Sequence, residues 1–247
     1  GMKARAIPRP LRGWHETGCV VCGRPLVYSG RTQERECCVC HRVLPSDAVC
    51  EAGHFVCDDC HSGGGAALLA FLQDSRERDP VKLFLNACAL PGVHMHGPEH
   101  HFLTAASLCA AWCAVRRDDA RPRLERLRVR CAQIPAGVCG YYGVCGDTLA
   151  AGAFLSEILG ATYLSGAEWQ VVNNFTARVQ YGVAASCTRG PRCCKRTTLA
   201  AISAAASALA ELTGVALPRP ERIRCTFRAM NSQCIGKDCI FCDGIPG

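Results

Sequence analysis

Beyond residue 62, apolar residues recur at helical spacing, in runs separated by Gly, Pro and Asp. "ALLAFLQDSRER" predicts a helix, and "DPVKLFLNACAL" a second, with Asp79 at its N-cap and Pro80 at its first position. "GPEHHFLTAASLCAAWCAV" predicts a longer helix from Pro98, with Phe102, Ala105, Ala106, Cys109 and Cys113 at helical spacing. "GDTLAAGAFLSEILG", "GAEWQVVNNFTARVQYGVA" and "KRTTLAAISAAASALAELTG" predict three more, each flanked by a Gly that suits a helix end. "RIRCTFRAM" (222–230) is the one strand-like stretch, and no repeat of fixed period is visible. The fold expected is mainly α: a Cys/His module at 19–61, a glycine hinge "HSGGGAA", a helical domain at 62–221 and a Cys-rich tail at 222–247 packing on it.

Composition narrows the chemistry. With 247 residues, 49% of them hydrophobic, the chain can bury a real core. Gly1 before Met2 is set aside as a remnant of expression, and the basic start is followed by no apolar run, so no secretory leader is expected. The nearest thing to a membrane span, "TTLAAISAAASALAELTGVAL", is Ala-rich and suits a buried helix. A cytoplasmic protein is therefore expected, in which thiols stay reduced, and an odd count of 21 cysteines argues for metal over disulfides. The net charge of +7 lies largely in arginines such as those of "RRDDARPRLERLRVR" (116–130), which suit a solvated helix of mixed charge. An anionic partner such as RNA is the alternative; aromatic residues, at 6%, are not interleaved with the arginines as single-strand binding would want.

The densest chemistry is "CCVCHRVLPSDAVCEAGHFVCDDCH" (37–61), preceded by "CVVC" (19–22). The spacings give four pairs: Cys19/Cys22, Cys37/Cys40, Cys50/His54 and Cys57/Cys60. A C-x-x-C knuckle can place two thiolates on one ion, and two pairs complete a tetrahedron. The run from Cys37 to Cys60 resembles six ligands of a RING-type cross-brace, with Cys19/Cys22 supplying the missing pair. Two Zn²⁺ ions are expected in a treble-clef-like module, one on Cys37, Cys40, Cys57 and Cys60, the other on Cys19, Cys22, Cys50 and His54. A sequential pairing of Cys19/Cys22 with Cys37/Cys40 is the alternative, and Cys38, His41 or His61 could replace a neighbour. So short a module, with few large apolar residues, should not fold without metal.

Two further clusters follow. "GVHMHGPEHHF" places His94, His96 and Gly97 at a helix start, where backbone N–H groups and the helix dipole favour an anion. His94 and His96 are candidate acid/base groups, with Gly97, Glu99 and His100 as candidate substrate contacts. His100 and His101 fall on adjacent faces of the first turn. The second thiol set comprises Cys139 and Cys145 in a Gly-rich turn, Cys187, Cys193 and Cys194 between two helices, and Cys234, Cys239 and Cys242 in the tail, with Cys225 also in the tail. Thiols at separate helix junctions suit an iron–sulfur site. Cys88, Cys109 and Cys113 on apolar faces suit core packing.

Residues 137–212 resemble the alpha part of the bacterial iron–sulfur L-serine dehydratases, through "GVCGYYGVCGDTLAAGAFLSEILGATYLSGAEWQ" and "SCTRGPRCCKRTTLAAISAAA". The resemblance implies that Cys139, Cys187 and Cys193 or Cys194 hold three irons of a 4Fe–4S cluster whose fourth iron is open or capped from the tail. "VHMHGPEHH" is similar to that family's substrate motif at His94, Gly97 and Pro98; its serines are replaced here by Pro91, Gly92 and Val93, and the loop between Cys187 and Cys193 is shorter. The chain is also identified as a member of a poorly characterised prokaryotic family with the motifs "GHFVCDDCH", "HGPEHH", "CGYYGVCG" and "GPRCCKR", some members of which are joined to a class I methyltransferase. This chain lacks a G-x-G-x-x-G after a strand and should not bind S-adenosylmethionine alone. Three functions are thus expected in competition: a metal-binding adaptor docking a partner such as a methyltransferase or RNA, an iron–sulfur hydro-lyase acting on a small hydroxy acid, and a redox or metal-delivery protein.

Overall fold

The computed structural model describes residues 19, 24–38, 41–57, 65–90, 93–187 and 192–246. The chain divides into two compact units, Gly1–His61 and Ser62–Gly247.

The first unit is built on a hairpin. Strands β1 (Leu26–Glu36) and β2 (Val43–Cys50) pair antiparallel, Leu26 opposite Cys50 and Glu36 opposite Val43, with the register broken between Tyr28 and Gln33. The sequence gives no warning of β1, because nearly all its side chains face solvent and no inside–outside alternation marks it. In the other strand-like stretch, 222–230, only Arg222–Ile223 is extended and paired; the chain then turns to a 3₁₀ segment at Arg228–Met230. Among the described residues of the first unit, burial falls on Cys19, Cys37, Cys50 and Cys57.

The second unit is helical: α1 (Gly65–Asp74), α2 (Pro80–Ala87), α3 (Glu99–Arg116), α4 (Arg121–Cys131), the short α5 (Val138–Tyr141), α6 (Gly146–Leu159), α7 (Ala167–Ser186) and α8 (Cys194–Thr213). Asp79 caps α2, its Oδ1 accepting from the amides of Val81 at 2.9 Å and Lys82 at 3.1 Å. Helix α3 is buried on every face over Leu103–Cys113 and runs through the centre, packed by α2, α4, α6 and α8. Small residues let the helices approach closely: a Cβ on Gly182 of α7 would lie 2.7 Å from the Ala204 Cβ of α8. The charged stretch 116–130 becomes α4, which buries Leu124, Leu127 and Cys131 and turns its arginines outward; Arg126 and Arg130 both reach Glu157, at 2.7 and 3.2 Å. None of the described helices is long and apolar enough to cross a membrane.

The tail is part of this core. Ile223, Phe227 and Phe241 are buried in the same cluster as the helix residues. Strand β3 (Arg222–Ile223) pairs with β4 (Ile245–Pro246), and the Cys225 amide donates to the Phe241 carbonyl at 2.9 Å. The chain from 224 to 244 is therefore a closed loop pinned at its base.

Candidate metal centres

In the first unit the turns come before the ligands. The amide of Cys19 donates to the Arg24 carbonyl at 2.5 Å, and the amide of Cys37 to that of Arg42 at 2.9 Å. In both cases the amide of the first cysteine reaches the carbonyl five residues on, ahead of a strand. After β2 the chain turns at Gly53, whose φ of +84° suits glycine, and the amide of Ala52 points at the Cys50 sulfur from 3.1 Å. These turns bring the Sγ atoms of Cys19 and Cys50 to 3.7 and 3.6 Å from Nδ1 of His54, and all three ligand atoms lie within 4.8 Å of one another. A tetrahedral ion with bonds of about 2.3 Å to sulfur needs ligand atoms about 3.8 Å apart, so three corners of a site are in place. Cys37 meets Cys57 instead: the Cys57 amide donates to the Cys37 sulfur at 3.4 Å, and both are buried against Leu44, Phe55 and Val56. The donors thus group as Cys19 with Cys50 and His54, and Cys37 with Cys57.

Cys38 and His41, two of the alternatives named from spacing, meet other groups. The Cys38 thiol donates to the Phe55 carbonyl at 3.1 Å, and burial followed by the Cys37 charge pushes it up from its ordinary value. The His41 ring meets Glu36 at 2.9 Å on the surface. Cys22, Cys40, Cys60 and His61 lie outside the described residues.

At the start of α3 the histidine motif separates into different roles. Glu99 folds back so that its Oε1 accepts from the His94 amide at 3.0 Å and meets His94 Nδ1 at 3.2 Å and His100 Nδ1 at 3.6 Å. Burial pushes the Glu99 carboxyl up, but the contacts that favour its charged form, led by the hydrogen bond from His94, outweigh it and hold it below the usual range. Gly97 is required here, because a Cβ would collide with the Glu99 carboxylate. His100 is fully buried, its Nδ1 bonds to the Gly97 carbonyl at 3.0 Å, and burial, then the Lys195 charge, lowers its pKa to about 3. It is therefore a neutral interior ring. His101 packs on Gly146 at the start of α6, where a Cβ would strike its ring. Beside it the buried Asp147 accepts from the Thr104 hydroxyl at 3.2 Å and the Cys145 thiol at 3.5 Å; burial pushes its carboxyl up.

His96 faces elsewhere. Its Nδ1 accepts from the Cys194 amide at 3.4 Å, so Nε2 carries the proton and donates to Asn231 Oδ1 at 3.3 Å. Burial, then the charges of Arg192 and Lys195, lowers its pKa. The Gln233 amide also donates to Asn231 Oδ1, at 3.0 Å, which fixes the Asn231 amide and aims Nδ2 at the Cys193 sulfur, 3.7 Å away.

Cys193 opens onto a pocket. It shares the lining with Cys225, Cys234 and Cys239, with Met95, Phe227 and Ile235 as the apolar wall and Arg196, Arg228 and Asn231 as polar members. Cys187 lies beside this group: its thiol bonds to Arg196 and feels Cys239 and Cys193, while burial pushes it up from its ordinary value. The other expected members are placed differently. Cys139 is exposed on α5. Cys145 is held in the Asp147 cluster, with its amide on Gln180 at 3.1 Å. Cys194 turns its thiol to the Gly97 backbone, and burial pushes it up to about 12. The Cys242 sulfur sits 3.9 Å from Arg228. Of the core cysteines, Cys109 and Cys113 are buried on α3, while the Cys88 thiol accepts from the buried Lys195 ammonium at 3.2 Å.

Sequence reasoning set Cys225 beside the other tail thiols without counting it among the candidate ligands, and it missed Asn231 and Arg196. The signal for Cys225 was faint, a lone cysteine in an apparent strand; the run Cys225, Cys234, Cys239 in one short tail was the clue. The dehydratase resemblance pointed toward Cys139, which is not among the residues lining this pocket.

Against known proteins, a family model fits residues 68–242: DUF5714, a family of unknown function. No curated protein and no solved structure matches the chain.

Proposed function

Because the chain belongs to DUF5714, a family of unknown function, we propose its function from its own residues: a metal-binding adaptor. Its first unit is a module closed by two structural zinc ions, which docks a protein partner such as a methyltransferase. Its helical unit carries a second, thiol-lined centre. The observation that supports this most is the interleaved arrangement, with Cys19 against Cys50 and His54, and Cys37 against Cys57. With Cys22, Cys40 and Cys60 added from the spacing, each group has four donors of the type zinc prefers in closed structural sites. A closed site has no open position for substrate, so the module holds shape and does no chemistry.

The hydro-lyase reading asks for a proton carrier, His94 or His96, at the second centre. His94 is taken up by Glu99, and both ring nitrogens of His96 are engaged, by the Cys194 amide and by Asn231, so the adaptor reading is preferred. Metal analysis of the intact protein tests it. About two zinc ions per chain are expected in the first unit, and Cys57→Ser should lose about one and open that unit to proteolysis. An intact protein without zinc would overturn the reading.

A further inference from the structure

We propose that Cys193, Cys225, Cys234 and Cys239 are the thiolate ligands of a four-iron iron–sulfur cluster, seated between the start of α8 and the pinned tail. The proposal deepens the reading of the helical unit as metal-binding, and it does not depend on the zinc content of the first unit.

The first argument is placement. All four residues line one pocket, and the fold puts them there. Cys193 is the N-cap residue of α8. The other three belong to the closed loop, whose ends pair as β3 and β4 and whose Phe227 and Phe241 are anchored in the helical core. Ligands from distant parts of the chain are therefore delivered by packing that exists independently of any ion.

The second argument is the direction of the N–H groups. The amide of Phe227 points at the Cys225 sulfur from 3.4 Å, and the amide of Gly236 at the Cys234 sulfur from 3.4 Å. Each donor comes from two residues beyond its cysteine, as Ala52 does for Cys50 in the first unit. Asn231 Nδ2 supplies a third donor, to Cys193. Donors aimed at sulfur stabilise a thiolate and leave a thiol proton without purpose. They are also a principal means by which a protein tunes a cluster.

The third argument is spacing. A single ion draws its ligand atoms together, as at Cys19, Cys50 and His54, where all three lie within 4.8 Å. Among the described residues the thiols of this pocket make no such group. They line one pocket, spread wider than the ligands of a single ion. Thiols so spread fit a body with several metal atoms, each bound at its own corner.

The fourth argument is charge. Four thiolates and their sulfides carry net negative charge. The pocket answers with Arg196 and Arg228 in its lining, with Lys195 behind Phe227, 4.9 Å from that ring, and with the N-terminal end of the 20-residue helix α8. Met95, Phe227 and Ile235 limit water at the sulfurs. Cys187, held by Arg196 next to Cys193 and Cys239, is a fifth thiol beside the set and not one of the four.

The test uses the full chain, reconstituted with iron and sulfide without oxygen, and reads iron, acid-labile sulfide, the visible absorption of iron–thiolate charge transfer, and zinc. The intact protein should take up equal amounts of iron and sulfide. Cys225→Ser and Cys234→Ser should each lose most of both while zinc stays at the level of the intact protein, and Cys139→Ser should lose neither. Asn231→Ala, which removes a donor and no ligand, should keep the iron and shift the reduction potential to a more negative value. The proposal is overturned if the intact protein takes up no iron, if the second centre fills with zinc in the presence of iron, or if Cys225→Ser keeps its full iron and sulfide. Should the cysteine variants lose helicity, the Asn231→Ala arm decides, and an unchanged potential there overturns the proposal. Loss of zinc with iron retained would instead count against the adaptor reading alone.

Discussion

The two thiol centres stand in opposite relations to the chain around them. In the first unit Cys37 and Cys57 form the cluster against which Leu44, Phe55 and Val56 pack, and β1 offers almost nothing else to bury. In the second unit the cysteines of the pocket sit on a core of leucines, phenylalanines and alanines from seven helices and the tail. One centre makes its fold, and the other is made by a fold. The lesson is that a count of cysteines says little about what metal contributes to stability; the apolar area available without them decides.

The comparison breaks first under chelation. Structural zinc contributes on the order of 10 kcal/mol or more in small metal-folded domains, so stripping the metal should unfold the first unit outright. Limited proteolysis of the chelated protein should then cut within 19–57 and leave the helical unit whole, with its helical circular dichroism intact. Survival of the first unit without metal would mean that the hairpin has stability of its own.

A core substitution sharpens the difference from the other side. Phe241 is fully buried where the tail meets the helices. Phe241→Ala should cost about 3–5 kcal/mol in urea unfolding of the helical unit, weaken metal binding at its pocket, and leave the zinc of the first unit unchanged. Equal losses from both centres would show that the two units do not respond separately.

The smallest effect separates the units by pH. The folded value for His100 is lowered to about 3, while an unfolded histidine keeps about 6.5. Between those values the unfolded chain binds the extra proton, so stability is full above about 6.5 and falls as pH drops through the window, by about 1.4 kcal/mol per unit at most. Asp147, raised by burial, works in the opposite direction and reduces the net slope. Urea unfolding of the helical unit at pH 7 and pH 5.5 should show a loss of about 1 kcal/mol, in which the lowered His96 and His101 share, and His100→Gln should reduce the difference. An unchanged slope in that variant would place the proton uptake elsewhere.

The helices were legible because each carries its own marks, such as Asp79 and Pro80 at the start of α2, and Gly160 and Gly214, both left-handed, at the ends of α6 and α8. The Cys50/His54 pair of the first unit was legible as spacing, since such a pair is a local object. What joins distant segments was not. Nothing in the neighbourhood of Cys225 says that it meets Cys193, because their meeting depends on Phe227 and Phe241 reaching the helical core. The histidine motif misled for a related reason. Proximity in sequence suggested one site, but His94 turns to Glu99, His96 to Asn231, His100 into the core and His101 onto Gly146.

The Glu99 carboxylate lying where a side chain on residue 97 would begin has a consequence for how sequence variation should be read. Position 97 is free to change only if position 99 changes with it, and position 146 only if 101 does. The string "GPEHH" would therefore persist among relatives under selection for packing alone. Its invariance would not identify a reaction. A relative with alanine at 97 should carry a shorter residue at 99, and such linked exchange would mark the motif as architecture, whereas variation confined to His96 and Asn231 would mark a change in what the neighbouring pocket holds.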